Sequence, residues 1–393
     1  MLSLSYYQNL TPQILGLLEA LTMIESPTYD KDGVDRVGRL VADTLAALGA
    51  QLEFFPQTQA GDHLLARWDS AAGDASGPPI LLLLHMDTVH PLGALKINPP
   101  RVEAGRFYGP GALDMKASIA MAATMFQALG AADAWPQRPV WALFTSDEET
   151  GSATSRSLIE YLGRQAAQRG GLVLCMEPAL PNGALKTWRT GVGIFELVVH
   201  GRASHAAADH RRGRNALVEL AHQVLALSAL TDYDKGTTVN VGVAAGGTAS
   251  NVVPQQARAE IDFRMLDMAE AERLESTLRG LQPVTPGTRL EARGGLNRPP
   301  MPFNPLMART FRQAQQIGAR LGLALKRGGT GGGSDANFVA PLEAAVLDGL
   351  GPLGRGAHTD DEYVEIASLA ERTALLSALV TEWSFDSGSG AGG

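Results

Sequence analysis

The sequence has little cysteine, few basic residues and no long apolar run, and each shortage excludes a class of protein. Its only cysteine, Cys175, cannot form an intramolecular disulfide, so nothing requires an oxidising compartment. Its 33 Lys and Arg against 41 Asp and Glu give a net charge of -8, which argues against nucleic-acid and acidic-membrane partners. The sequence contains no run of about 18 apolar residues, the length needed to span a membrane, and its N-terminus lacks a signal-peptide pattern. We therefore expect a cytoplasmic protein that acts on peptides or small molecules.

The chain is long enough for more than one hydrophobic core. At 393 residues, of which 45% are hydrophobic, it exceeds the size at which single cores usually divide into domains. In the first half, helical spacing of apolar residues alternates with aliphatic runs such as 80–84, which are typical of strands buried on both faces. This alternation predicts an α/β fold with a mixed, largely parallel sheet between helices.

The pattern changes at about Trp188, where strands begin to alternate apolar and polar residues. The elements then follow the order β-α-β-β-α-β, which predicts an inserted ferredoxin-like α+β domain at 188–297. The flanking segments 1–187 and 298–384 would together form one catalytic domain. The Gly/Ser-rich end, 385–393, is expected to be a disordered tail.

Histidines and carboxylates stand where the predicted strands of the catalytic domain end. In open α/β sheets such strand ends meet in one crevice, where ligands bind. Taken singly, an acid at a strand end is more often a helix cap or a solvated turn residue. Taken together, the carboxylates would repel one another and be costly to bury without a cation. The residues that directly follow such strands are His85, Asp87, the acidic run 147–149 and Glu177, while Asp114 lies in "GPGALDMKAS" and His358 stands in a late loop.

The kinds of side chain in this set narrow the choice of cation. Imidazole and carboxylate without thiolate suit Zn²⁺, with Co²⁺ or Mn²⁺ as alternatives. Five ligands are too many for one catalytic zinc that also holds water, but they suit two metals that share a bridging carboxylate. The sequence has no H-E-x-x-H, G-x-S-x-G or phosphate-loop motif. We therefore expect a hydrolase with a dinuclear metal site.

Nine short motifs occur in an order that resembles a known superfamily. They are "HMDTV", "GPGALDMKAS", "SDEETGS", "MEP", "GRASHA", "NVVP", "DFR", "GGGSDANF" and "HTDDEYV". The sequence resembles the dizinc glutamate carboxypeptidase, acetylornithine deacetylase and succinyl-diaminopimelate desuccinylase superfamily, and is most similar to the glutamate carboxypeptidase branch. The resemblance implies a zinc-exopeptidase-like catalytic domain and an inserted domain that serves as a lid and for homodimerisation.

The resemblance also implies two Zn²⁺ per subunit and a role for each ligand. Asp114 would bridge the metals, His85 and Glu177 would complete one site, and Glu149 and His358 would complete the other. The peptide bond after Asp114 would be cis.

Further roles concern catalysis and orientation. Glu148 would be the general base that takes a proton from water and returns it to the leaving amine. Asp87 would hold the imidazole of His85, since residues i and i+2 share one face of a strand. His205 would reach the partner subunit's active site to stabilise the oxyanion, although without the resemblance it is more simply a surface residue.

Recognition of the substrate carboxylate is implied for Asn251, Arg264 and the backbone around Gly333 and Ser334. A glycine-rich loop offers several N–H groups to an anion, and a guanidinium can make a two-point contact. The same loop could instead be a flexible turn. The basic residue that would pair with a glutamate side chain is not identified; Lys186, Arg189, Lys326 and Arg327 are the candidates.

Three functions follow from these patterns. The first is a dinuclear zinc metallopeptidase, a carboxypeptidase that releases a C-terminal amino acid, with glutamate expected, from peptides or N-acyl conjugates. The second is an N-acyl amino acid deacylase of the acetylornithine deacetylase or succinyl-diaminopimelate desuccinylase type. The third is a catalytically silent binding or dimerisation module, which the presence of every implied ligand and of Glu148 argues against.

Overall fold

A computed structural model describes residues 1–69 and 76–385, and it divides the chain into two compact units. The first unit contains Met1–Trp188, Phe303–Gly329 and the described residues from Ser334 onwards. The second contains Arg189–Pro302 and Thr330–Gly333. Residues 386–393, which form most of the predicted tail, lie outside the described residues.

Helices and strands alternate through most of the first unit, as the spacing of apolar residues predicts. Across the described residues of both units, the α-helices are α1 (Leu4–Asn9), α2 (Thr11–Thr22), α3 (Lys31–Ala46), α4 (Ala94–Ile97), α5 (Ala117–Ala131), α6 (Arg156–Gln168), α7 (Ala216–Ser228), α8 (Met268–Arg279), α9 (Pro305–Arg320), α10 (Ala336–Val339) and α11 (Ile366–Glu382). The strands are β1 (Gln51–Phe55), β2 (His63–Trp68), β3 (Ile80–His85), β4 (Arg101–Glu103), β5 (Arg106–Tyr108), β6 (Val140–Thr145), β7 (Leu172–Cys175), β8 (Leu185–Arg189), β9 (Gly191–His200), β10 (Ser204–His205), β11 (Thr238–Gly246), β12 (Val252–Val253), β13 (Gln256–Met265), β14 (Arg289–Arg298), β15 (Arg327–Thr330), β16 (Ala345–Leu347), β17 (Gly354–Arg355) and β18 (Tyr363–Glu365).

A six-stranded sheet forms the centre of the first unit, in the order β1-β2-β6-β3-β7-β16. Strands β6, β3, β7 and β16 are mutually parallel, whereas β1 and β2 are antiparallel to their neighbours. Every residue of β3 is buried, because helices cover both faces of the sheet. Leu82 and Leu84 join the core formed with α2, α3, α5 and α11, while α6 packs against β3 and β7. The predicted mixed, largely parallel sheet between helices is confirmed.

A smaller antiparallel sheet in the first unit carries the remaining part of the site. Its order is β17-β18-β5-β4. The loop between β17 and β18 contains His358, and the turn that follows β5 contains Asp114. Pairing of β18 with β5 joins Tyr363 to Tyr108 and so brings these two connections to neighbouring strand ends.

The second unit is a four-stranded antiparallel sheet with two helices on one face. The sheet order is β11-β13-β9-β14, and α7 and α8 are the two crossover helices. Burial alternates along β13, as expected of a sheet with one face in a core. Phe195, Ile261 and Phe263 pack there with Leu220 and Leu274 of the helices. This connectivity is the predicted ferredoxin-like one. Among the described residues, no helix is both long and apolar enough to cross a membrane.

Candidate metal centre

The candidate site lies where three parallel strands of the large sheet end. Strand β3 ends at His85, which pairs in register with Thr145 at the end of β6. Strand β6 is followed by a short turn, Glu148–Thr150, which we call the acidic turn. Glu177 follows the end of β7. Because the strands are parallel, their carboxyl ends meet at one edge of the sheet.

The imidazole of His85 is 2% exposed and is held from both sides. Its Nδ1 lies 2.9 Å from the backbone oxygen of Asp87, so Nδ1 carries the hydrogen and donates it there. Its Nε2 faces two carboxylates, with Asp114 Oδ1 at 3.2 Å and Glu177 Oε1 at 3.7 Å. With Nδ1 held in this way, Nε2 of His85 would bind a metal together with Asp114 and Glu177.

The buried carboxylate of Asp87 mainly holds the acidic turn rather than the imidazole. Its Oδ1 is 3.5 Å from His85 Nδ1, farther than the backbone oxygen is. The same Oδ1 accepts the N–H of Glu148, and Oδ2 accepts the N–H of Glu149, both at 3.2 Å. The hydroxyl of Thr28 donates to Oδ2 at 2.6 Å. Asp87 therefore contacts His85 chiefly through its main chain and the acidic turn through its side chain.

Asp114 lies between the two histidines. Its Oδ1 faces His85, and its Oδ2 is 3.5 Å from Nε2 of His358. His358 Nε2 is also 3.3 Å from Oε2 of Glu149. One carboxylate thus separates a His85–Glu177 pair from a His358–Glu149 pair, which is an arrangement that a bridging ligand requires. The peptide bond between Asp114 and Met115 is cis.

The charges at this centre shift one another's pKa values. Burial raises the pKa of Glu149 to about 7, and the carboxylates of Asp114 and Asp87 act in the same direction. Hydrogen bonds to Asp114 and Glu149 raise the pKa of His358 to about 10. Burial lowers the pKa of His85, but the acceptors Asp114 and Asp87 hold it well above its usual value. The cluster therefore favours positive charge between its carboxylates.

The donor set fits a divalent metal. His85, Asp114 and Glu149 each offer a ligand atom, and these atoms lie within 4.8 Å of one another. Oε1 of Glu149 is buried and accepts no hydrogen bond from any described residue. A buried carboxylate oxygen without a donor is costly unless a cation binds it. His358 and Glu177 flank this group and would add one ligand to each side.

Lys186 and Ser334 also belong to the first unit. Nζ of Lys186 lies 3.8 Å from Oε2 of Glu177, so this lysine, a candidate for recognising a glutamate side chain, contacts a predicted ligand. Ser334 is 0% exposed, and its hydroxyl donates to Oδ2 of Asp348 at 3.0 Å. Its N–H donates to Oδ1 of Asn337 at 2.9 Å.

The second unit contains His205, predicted to stabilise the oxyanion, and the predicted substrate-binding residues Asn251, Arg264 and Gly333. They form two groups. His205 and Asn251 lie close together, because the N–H of Ala206 donates to the backbone oxygen of Asn251 at 2.9 Å. Arg264 holds the carboxylate of Asp262 with two contacts of 2.7 Å.

The second group consists of Arg264 and the glycine-rich loop that contains Gly333. Nη1 of Arg264 donates to the backbone oxygen of Gly331 at 3.2 Å. The carbonyl of Gly333 accepts from Nη1 of Arg189 at 2.8 Å. A Cβ at Gly333 would lie 2.6 Å from Cδ of Arg298, so close packing requires glycine at this position.

Sequence comparison identifies the family. The model of peptidase family M20/M25/M40 matches residues 81–382. The chain belongs to this family. It is 30% identical to carboxypeptidase G2 of a Pseudomonas species, strain RS-16, over 94% of this chain and 89% of that protein. It is 33% identical to succinyl-diaminopimelate desuccinylase of Xanthomonas campestris pv. campestris, strain 8004, over 87% and 92%. The superfamily expected from the motifs is confirmed.

Solved structures agree with this assignment at the level of the fold. The aminopeptidase PepT of Bacillus cereus is 20% identical with a TM-score of 0.73, over 95% of this chain and 98% of that one. The M20 family metallo-carboxypeptidase Sso-CP2 of Sulfolobus solfataricus is 17% identical with a TM-score of 0.72, over 94% and 98%. This M20 peptidase is therefore a metal-dependent hydrolase with the fold of its family.

The sequence does not show the roles of two residues that support the site. Thr28 lies 59 positions before the Asp87 carboxylate to which it donates, and no motif marks it. Asp335 stands in the glycine-rich motif, yet its carboxylate accepts from Ser152 at 2.6 Å and Thr145 at 3.1 Å. Asp335 thus binds one residue on each side of the acidic turn.

Proposed function

We propose that this M20 peptidase is a dinuclear zinc carboxypeptidase that releases a C-terminal amino acid, with glutamate preferred, from peptides or N-acyl conjugates. The observation that carries the proposal is the Asp114 carboxylate, which faces His85 with one oxygen and His358 with the other. Glu177 and Glu149 flank these histidines. The relative named carboxypeptidase G2 supports release of a C-terminal residue.

These five residues would hold two Zn²⁺, or Co²⁺ or Mn²⁺ in their place. The chemistry supplied by such a pair is polarisation of the scissile carbonyl and activation of water for attack. Glu148 would accept the proton of that water and deliver it to the departing nitrogen. Its backbone N–H is fixed by Asp87, so the base and the ligand Glu149 share one support.

His205 would donate to the developing oxyanion of a partner subunit's substrate in a homodimer formed by the second unit. Its Nδ1 accepts the N–H groups of Ala207 at 3.1 Å and Ala208 at 3.2 Å. With Nδ1 as acceptor, the ring hydrogen is on Nε2, so the exposed edge of the ring is a donor. Asn251 and Arg264 would bind the substrate carboxylate. The dimer, these contacts and a cytoplasmic location stay predictions.

Exchange of the general base tests the reaction. In Glu148→Gln the amide cannot accept a proton, so kcat on an N-acyl-glutamate should fall at least about 100-fold. Metal analysis should give two zinc ions per chain in the variant and in the wild type. Glu19→Gln, an exposed carboxylate exchange on α2, is the matched control and should leave both values unchanged.

Two outcomes would contradict this proposal. Normal turnover by Glu148→Gln would show that another group is the base. One zinc ion per chain in the fully loaded wild type would exclude the dinuclear site.

The second candidate function is deacylation of an N-acyl amino acid. The relative named succinyl-diaminopimelate desuccinylase, at 33% identity, favours it. Comparison of kcat/KM on an N-acyl-glutamate, acetylornithine and succinyl-diaminopimelate separates the two. We expect at least a tenfold preference for the N-acyl-glutamate, and the opposite order would establish the deacylase.

A further inference from the structure

Glu362 is a buried carboxylate near the metal centre to which the proposed reaction assigns no role. It follows His358 by four positions and is 0% exposed. Its two acidic neighbours, Asp360 and Asp361, are exposed. A carboxylate in such surroundings is stable only where donors compensate for the lost water.

Backbone N–H groups and one imidazole supply those donors. Oε1 accepts the N–H of Leu113 at 2.7 Å and that of Asp114 at 2.9 Å. Oε2 accepts the N–H of Gly111 at 2.7 Å and lies 2.5 Å from Nε2 of His90. Both oxygens are therefore used twice, and three of the four donors belong to the turn that carries Asp114.

The main chain of Glu362 is held as firmly as its side chain. Its carbonyl oxygen accepts the N–H of Gly109 and the side-chain amide of Asn98, each at 3.3 Å. The following residue, Tyr363, begins β18 and pairs with Tyr108 of β5. The carboxylate thus projects from a fixed strand end toward the turn 111–114.

One carboxylate consequently joins the segments that carry three of the proposed ligands. His90 belongs to the segment that follows His85, the turn carries Asp114, and Glu362 itself ends the loop of His358. The N–H of Asp114 is among the bonds, so the contact fixes the main chain at the residue whose side chain lies between the two histidines.

We propose that Glu362, supported by His90, is a positioning residue that sets the Asp114 carboxylate between the two metal positions. The inference rests on the proposed ligand set, but it concerns a residue that would touch neither metal nor substrate. Partners behind metal ligands commonly change metal affinity about 10- to 100-fold when they are removed. We expect an effect of that size, greatest where Asp114 is a ligand.

The test is Glu362→Gln, which preserves the size of the side chain. Its amide replaces one acceptor oxygen by an NH₂ group, which then faces N–H donors of the turn. Zinc affinity, measured by competition with a chromophoric chelator, should fall at least about tenfold. The visible absorption of the Co²⁺-loaded protein should change, because it reports how the ligands are arranged around the metal. Asp361→Asn is the matched control and should retain the wild-type affinity and spectrum.

Two further variants separate positioning from mere stabilisation of the fold. Glu362→Asp retains the charge with a shorter reach and should restore part of the affinity lost in Glu362→Gln. His90→Gln removes the imidazole but leaves the three backbone N–H contacts, so it should lower zinc affinity less than Glu362→Gln and serves if that variant does not fold.

The outcomes are distinct. A lower melting temperature of Glu362→Gln with unchanged zinc affinity and Co²⁺ spectrum would overturn the proposal, as would an unchanged affinity in both Glu362→Gln and His90→Gln. If the wild type itself binds no second metal, the proposed function fails instead.

Discussion

The carboxylate of Asp87 gives a prediction that distinguishes two accounts of its role. In the first account it orients the imidazole of His85, as the sequence suggests. In the second it holds the acidic turn, as the shorter contacts indicate, since His85 Nδ1 is nearer to the backbone oxygen of Asp87 than to its carboxylate. Asp87→Asn keeps that backbone oxygen and changes only the side chain.

The size of the effect follows from the contacts of the two oxygens. The one amide oxygen of the variant is best placed at Oδ2, where it keeps the hydroxyl of Thr28 and the N–H of Glu149. The NH₂ group then faces the N–H of Glu148, so the hydrogen bond from that N–H to a carboxylate is lost and two donors face each other. Such a loss costs about 2–3 kcal/mol. If the displaced turn misplaces Glu148 in the transition state, kcat falls about 30- to 150-fold.

The assay measures kcat on an N-acyl-glutamate and zinc affinity by chelator competition on the same preparations. We expect the loss in kcat with less than about a threefold change in affinity, because the backbone contact to His85 is intact. If zinc affinity falls as much as kcat, the carboxylate of Asp87 supports the imidazole of His85 rather than the acidic turn. A double-mutant cycle combines this variant with Thr28→Val. The coupling free energy between the two substitutions, calculated from kcat, should be about 1 kcal/mol.

Two other predictions concern the supports of each unit. Asp335→Asn retains one acceptor for Ser152 or Thr145 but not both, so kcat should fall about tenfold while the second unit unfolds as in the wild type. In the second unit, hydrogen bonds led by Arg273 lower the pKa of Glu270 to about 2. Its contribution to stability is complete above the unfolded-state pKa of about 4.3 and is lost as the pH falls toward 2, so the urea midpoints of the wild type and Glu270→Gln should converge in acid. Midpoints that stay equally far apart from pH 7 to pH 3 would contradict the Glu270 assignment.

The fold was largely predictable because its signals are local. An uninterrupted aliphatic run such as 80–84 is stable only where both faces are covered, and β3 is buried in that way. The order β-α-β-β-α-β likewise leads to the sheet β11-β13-β9-β14, since split crossovers leave few alternatives. These patterns depend on residues a few positions apart, where the sequence is directly informative.

The candidate site was predictable only in part, because its supports are joined across long separations. His85, Asp114 and Glu149 could be proposed as ligands from residue type and position at strand ends, and they do lie together. The sequence also places Asp87 beside His85, but it does not predict Thr28 or Glu362 as partners of this group. Glu362 contacts the N–H of Asp114 across 248 positions, and in the sequence it is one acid in a run of three.

Asp87 lies in the motif "HMDTV" and Glu362 in "HTDDEYV", but these motifs do not show what the two carboxylates contact. A carboxylate that accepts the N–H of Leu113 or Glu148 requires no particular side chain at those positions, so no motif records the contact. A side chain that orients a metal ligand can thus lie within a motif, while its main-chain partners are determined by the tertiary fold. The contacts of Asp87 and Glu362 favour a positioning role for both carboxylates, although their chemical type would also suit a metal ligand. Their exchange should therefore change how the ligands and Glu148 are arranged rather than remove a ligand.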